Sequence, residues 1–108
     1  MNADEQSGAG LVLTSGQRKY LRGLAHALQP VVWIGREGLS PAVLLELERT
    51  LTDHELIKVK FNEFKEEKQE LAAEIVDQTM SVMAGMIGHV AIFYRPRPEL
   101  EKRTIRLP

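Results

Sequence analysis

The segment GREG, Gly35 to Gly38, separates the apolar run VVWI from the helix-like run LLELERTL, and of all stretches in the chain it is best suited to chemistry. Glycine carries no Cβ, so another backbone can approach it closely. The amides of such a loop, together with unpaired amides at the start of a following helix, make a patch of positive partial charge that suits a phosphate. Loops of this G-x-x-G form clamp nucleic-acid backbone elsewhere. Taken alone the pattern is short, and a plain strand-to-helix turn accounts for it better. Nucleotide binding of the Walker type fits poorly, because GREGLS lacks the longer loop and the closing Lys-Ser/Thr pair.

Basic residues strengthen the phosphate reading. Arg18, Lys19 and Arg22 cluster early, Arg36 sits in the loop, and Lys58 and Lys60 alternate along IKVKF. Arg95, Arg97, Lys102 and Arg103 surround the segment RPRPELEK, whereas Glu66, Glu67 and Glu70 gather where a third helix should begin. Such segregation makes the molecule a dipole, and a basic face is the electrostatic footprint of phosphate binding. An ordinary solvated surface explains the same residues equally well. Glu37 opposes a phosphate beside it; facing solvent, pairing with Arg36 and accepting from RNA base edges are all open to it. Trp33 and Tyr94 are candidates for base stacking, but aromatic residues in strands more often pack, and packing is the expectation for both.

Catalysis finds little support. His26, His54 and His89 lack metal-ligand spacing, and Asp53 and Glu55 have no partner acid placed opposite them. Ser40 is better explained as a helix cap than as a nucleophile. Met80, Met83 and Met86 read as core filler. A hydrolase would need Ser40 and a histidine to converge. No metal, cofactor or small-molecule substrate is expected, and the chain reads as a non-enzymatic protein.

The elements that must hold these residues are legible from their punctuation. Thr14 and Gln17 form a capping-box pattern, after which Tyr20, Leu21, Leu24, Ala25 and Leu28 recur at helical spacing before Pro30. Val31 to Ile34 reads as a strand. Ser40 and Pro41 open a second helix carrying Val43, Leu44, Leu47 and Leu51, which stops near Glu55. Ile57, Val59 and Phe61 alternate with the two lysines as a strand with one wet face. A third helix is expected to open between Asn62 and Lys65 and to carry Leu71, Ala72, Ile75, Val76, Thr79, Met80 and Met83 as its apolar stripe. Gly85 and Gly88 break the pattern, HVAIFYR reads as a strand, and RTIRLP as the last, with Ile105 and Leu107 inward and Arg106 outward. The order α-β-α-β-α-β-β predicts a two-layer α/β domain with a mixed four-stranded sheet.

With 108 residues there is room for one core. Residues 1–12 read as a flexible tail and residues 13–108 as the domain. A formal net charge of −1 gives no hint of partner, and the absence of cysteine removes disulfides and thiolate chemistry. MNADEQSGAG is neither a signal peptide nor a membrane span, so the cytoplasm is the expected location.

The run RGLAHALQPVVWIGREGLSPAVLLELERTLTDHELIKVKF, with the later IGHVAIFYRP and IRLP, resembles the CRM domain, and closely the YhbY-type bacterial proteins that consist of that domain alone. The resemblance implies a fold similar to the C-terminal domain of translation initiation factor three, an RNA-binding role with Gly35, Arg36, Glu37 and Gly38 at the contact surface, and a basic first helix contributing Arg18, Lys19 and Arg22. It further implies a bacterial protein of ribosome biogenesis whose partner is 23S rRNA or its large-subunit precursor, bound by a monomer. A protein-interaction adaptor that docks on ribosomal proteins or assembly factors is the competing expectation.

Overall fold

The computed structural model describes residues 11–108. Most of the expected tail therefore lies outside the described residues; within it, Leu11 packs against the core and Val12 is exposed. Helix α1 (Ser15–Ala25) begins where the capping box puts it, with Thr14 Oγ1 accepting the Gln17 N–H and Gln17 Oε1 accepting the Thr14 N–H, each at 3.0 Å. Strand β1 (Pro30–Ile34) leads through the glycine loop to α2 (Pro41–His54), which is capped by Ser40. Strand β2 (Leu56–Phe61), helix α3 (Lys68–Thr79) and strands β3 (Val82–Ile87) and β4 (Val90–Tyr94) follow. A single 3-10 turn spans Leu100–Lys102.

The strand order is β1-β2-β4-β3. Strand β1 runs parallel to β2, as a crossover through α2 requires, while β4 lies antiparallel to both β2 and β3. The α/β fold with a mixed four-stranded sheet is thus present. Its layering differs from the expected two layers. On one face Val32, Ile34, Ile57, Val59, Phe61 and Phe93 pack against Leu47 and Leu51 of α2 and Ala72 and Ile75 of α3. On the other, Leu56, Ala84, Ile92 and Tyr94 pack against Leu21 and Ala25 of α1. Alternation along each strand sorts neighbouring residues to opposite faces, so α1 occupies the face that sequence reasoning left bare.

The last strand is also corrected. Residues 103–108 join no ladder, and the strand that completes the sheet is instead β3, VMAGMI. A register shift between Met83 and Gly85 interrupts the alternation that would have revealed it. Ile105 and Leu107 do lean on the core while Arg106 is exposed, but side chains hold this segment: Gln17 Nε2 donates to Pro108 O at 3.3 Å, and Glu55 receives the amides of Thr104 and Ile105. Helix α3 starts later than expected because Asn62 and Glu63 turn back to donate to Ile34 O, and Phe64 adopts φ +56. Met80, placed on the apolar stripe by spacing, is instead the exposed left-handed cap of α3.

Candidate nucleic-acid interface

Three segments meet at one end of the sheet: the loop after β1, the loop after β2, and the β3–β4 turn. Besides the two amides on Ile34 O, the Phe61 N–H donates to His89 O at 2.8 Å, which ties the hairpin tip to the end of β2. Gly35 to Gly38 form a turn closed by the Gly38 N–H on Gly35 O at 3.0 Å. Gly38 takes φ +63, where a side chain would be strained, and the Phe64 ring covers it at 3.5 Å from where a Cβ would stand. At Gly35 a Cβ would meet nothing within 4 Å. Arg36 and Glu37 are exposed at the tip.

The start of α2 offers fewer amides than the sequence suggests. Pro41 has no N–H, and Ser40 Oγ accepts from the Val43 N–H at 3.2 Å. What remains for an anion is chiefly the backbone of the turn and the cations around it.

Those cations are arranged differently from expectation. Lys60 is exposed on the α1 face of the sheet, while Lys58 is half-buried with Nζ on Leu28 O at 3.0 Å. Sequence reasoning passed over Lys65 and Lys68. Both lie close enough to His89 that, after partial desolvation, the charges of Lys68, Lys65 and Lys60 lower its pKa below the ordinary imidazole value. Lys68 Nζ also donates to Gly88 O and lies 3.2 Å from His89 Nδ1. The acidic residues Glu63, Glu66 and Glu67 share the loop with Lys65, beside the glycine turn. The expected dipole, with acid far from the loop, is not what the fold builds.

Trp33 corrects another expectation, since it is 51% exposed. It lies opposite Lys60 in the β1–β2 register, on the α1 face but past the cover of α1. Tyr94 packs as expected, and burial followed by the nearby Glu55 charge pushes its hydroxyl up to about 12.

On α1 only Lys19 of the three basic residues is exposed. Arg18 donates to Leu13 O at 2.8 Å, and Arg22 donates to Ala84 O at 3.2 Å with its stem lying over Gly85. Among the described residues no three His, Cys, Asp or Glu side chains form a metal site, and no helix is long and apolar enough to cross a membrane.

Residues 13–95 match the model of the CRS1/YhbY (CRM) domain. The chain belongs to this family. An RNA-binding protein of Haemophilus influenzae is 43% identical over 97 residues, covering 89% of this chain and 95% of that protein. A probable RNA-binding protein of Methanocaldococcus jannaschii is 36% identical, covering 89% of this chain and 73% of that one. Among solved structures, a Staphylococcus aureus protein described as a candidate RNA binder superimposes with a TM-score of 0.73 at 36% identity, covering 90% of this chain and all of that one.

Residues 96–108 lie outside the span matched to the CRM domain. They belong to the opposite end of the sheet, where Arg95, Arg97, Lys102 and Arg103 also sit, away from the glycine turn. Arg95 Nη1 donates to both carboxylate oxygens of Glu48 at 3.0 and 2.9 Å and to Thr79 O at 2.8 Å. Arg97 donates to Thr52 O, Asp53 O and Lys102 O, and the Arg103 guanidinium to Arg97 O. In this CRM chain Arg95 and Arg97 therefore close the carbonyl end of α2. The signal for that role was position: both follow β4 directly, and β4 ends beside Glu55.

Proposed function

We propose that this chain is a cytoplasmic, non-enzymatic RNA-binding protein that grips the backbone of structured rRNA of the large ribosomal subunit or its precursor. The contact set is the turn Gly35, Arg36, Glu37 and Gly38 with Lys60 beside it and the exposed Lys19 on α1. One observation carries the reading: a turn whose first glycine faces open space and whose last takes φ +63 lets a sugar–phosphate chain come within reach of its amides, next to an exposed arginine and lysine. Membership of the CRM family and relatives named as RNA-binding proteins support it.

Filter binding with large-subunit rRNA fragments at several salt concentrations is the test. If about four phosphates are neutralised, log affinity falls against log salt with a slope of roughly three to four. A flat response rejects backbone gripping. Pull-downs with and without nuclease separate this reading from an adaptor, whose partners persist after RNA is destroyed.

A further inference from the structure

The geometry points to a stacking site for an unpaired base of single-stranded RNA on the exposed face of Trp33, with the adjoining phosphates held by Lys60 and the lysines around His89. This rests on the RNA-binding reading above and adds to it a distinct surface and a preference for unpaired strands.

Four residues form one row across the sheet. Trp33 pairs with Lys60, Lys60 with Val90, and Val90 with Ile87. Their immediate neighbours Ile34, Phe61 and Ala91 lie in the core beneath α2 and α3, so the row points to the α1 face. Helix α1 does not cover it: Trp33 is 51% and Ile87 64% exposed. The next row, Lys58, Ile92 and Gly85 with Arg22 lying over it, marks the border of α1.

An indole left half in water on a sheet face serves the fold poorly, since burial is what an aromatic side chain contributes. Adjacent strands lie about 4.8 Å apart, which sets the Lys60 ammonium within reach of a phosphate flanking a base stacked on Trp33. Lys68, whose Nζ donates to Gly88 O and lies 3.2 Å from His89 Nδ1, adds positive charge at the hairpin tip, and Lys65 lies near enough to act on the same imidazole. An aromatic face bordered by cations suits a flat, electron-rich ring on an anionic chain. A duplex keeps its base faces stacked on one another, so only an unpaired strand can offer one. An apolar protein surface would use the same indole but has no need of the lysines.

Trp33 is the sole tryptophan of the chain beside two tyrosines, so fluorescence excited at the red edge of the tryptophan band, where tyrosine absorbs little, reads this site. The full chain is titrated with an oligouridylate and with a fully paired RNA hairpin, while anisotropy of the end-labelled RNA follows binding independently. The oligouridylate is expected to quench Trp33 as it binds, and the hairpin to bind without quenching. Trp33→Ala is expected to weaken oligouridylate binding about tenfold or more, with Trp33→Phe restoring most of it. Oligouridylate bound with Trp33 fluorescence unmoved, or bound undiminished by folded Trp33→Ala, overturns stacking, leaves RNA binding intact and reassigns the row to a protein partner. Failure of the unaltered chain to bind either RNA while it still binds rRNA fragments overturns this site alone, and failure to bind all of them removes the RNA-binding reading with it. The quench in the unaltered chain decides the matter even where a variant folds badly.

Discussion

Glu55 Oε1 accepts both the amide and the hydroxyl of Thr104, each at 2.9 Å. Its Oε2 accepts the Arg97 N–H at 2.8 Å, and its own carbonyl accepts the Arg95 N–H at 2.8 Å. The residue is fully buried. Burial alone would raise the carboxyl pKa, but the hydrogen bonds from Arg97, Thr104 and Ile105 outweigh it and hold the pKa below the ordinary value of 4.5. One buried carboxylate thereby ties Arg97, Thr104 and Ile105 to the end of α2.

A carboxyl pKa that is lower folded than unfolded stabilises the protein fully above the unfolded value, and the contribution is lost as pH falls through the folded one. Stability is therefore expected to decline as pH drops below about 4.5. Glu55→Gln should remove about 2 kcal/mol at neutral pH and flatten that acid slope. Urea midpoints from pH 7 to pH 3 measure both, and an unchanged slope in the variant would assign acid sensitivity to other groups.

The two glycines of the turn should separate stability from binding. Gly38→Ala forces a side chain into a left-handed conformation and is expected to cost about 1 kcal/mol. Gly35→Ala meets open space and should leave the thermal midpoint unchanged while weakening rRNA binding at every salt concentration. Equal affinity of Gly35→Ala and the unaltered chain would remove the glycine from the contact surface.

Lys60→Ala should lower the salt slope of RNA binding by about one and weaken all RNA sequences alike. Selective loss for one sequence would indicate base readout instead. Arg95→Ala should do the reverse. Its guanidinium is engaged with Glu48, Thr52 and Thr79, so the variant is expected to lose about 2–3 kcal/mol of stability yet bind RNA unchanged while folded.

Gly85 and Arg22 should behave as a coupled pair. A Cβ at Gly85 would stand 2.7 Å from Arg22 Cδ, so Gly85→Ala must displace the arginine stem and its hydrogen bond to Ala84 O. A cost of about 1 kcal/mol is expected in the native background and close to none after Arg22→Ala. Additive costs in the double variant would locate the strain elsewhere.

The first half of the fold was legible because its boundaries are made by local chemistry. Thr14 with Gln17, and Ser40 with Pro41, announce helix starts whatever the tertiary context. Ile57, Val59 and Phe61 announced the buried side of β2 in the same way. The second half depends on distant partners. Nothing local shows that the Arg22 stem lies over Gly85 within VMAGMI, nor that Glu55 replaces a ladder for RTIRLP. The glycine turn was found from its residues alone. The exposure of Trp33 was not, because it depends on how far α1 reaches across the sheet, and the helical spacing of Leu24 and Leu28 suggested deeper burial than the 39% and 38% exposure they retain.

Glu55 and its ties sit beside Leu56 and Tyr94, where β2 begins and β4 ends, whereas Gly35, Lys60 and His89 gather where β1 and β2 finish. Anchorage and the proposed RNA contact are consequently divided between two poles of one small body. Exposed side chains at the proposed contact pole, Arg36 and Glu37 among them, can therefore be exchanged for a new transcript with little risk to the scaffold, whereas Gly38 cannot.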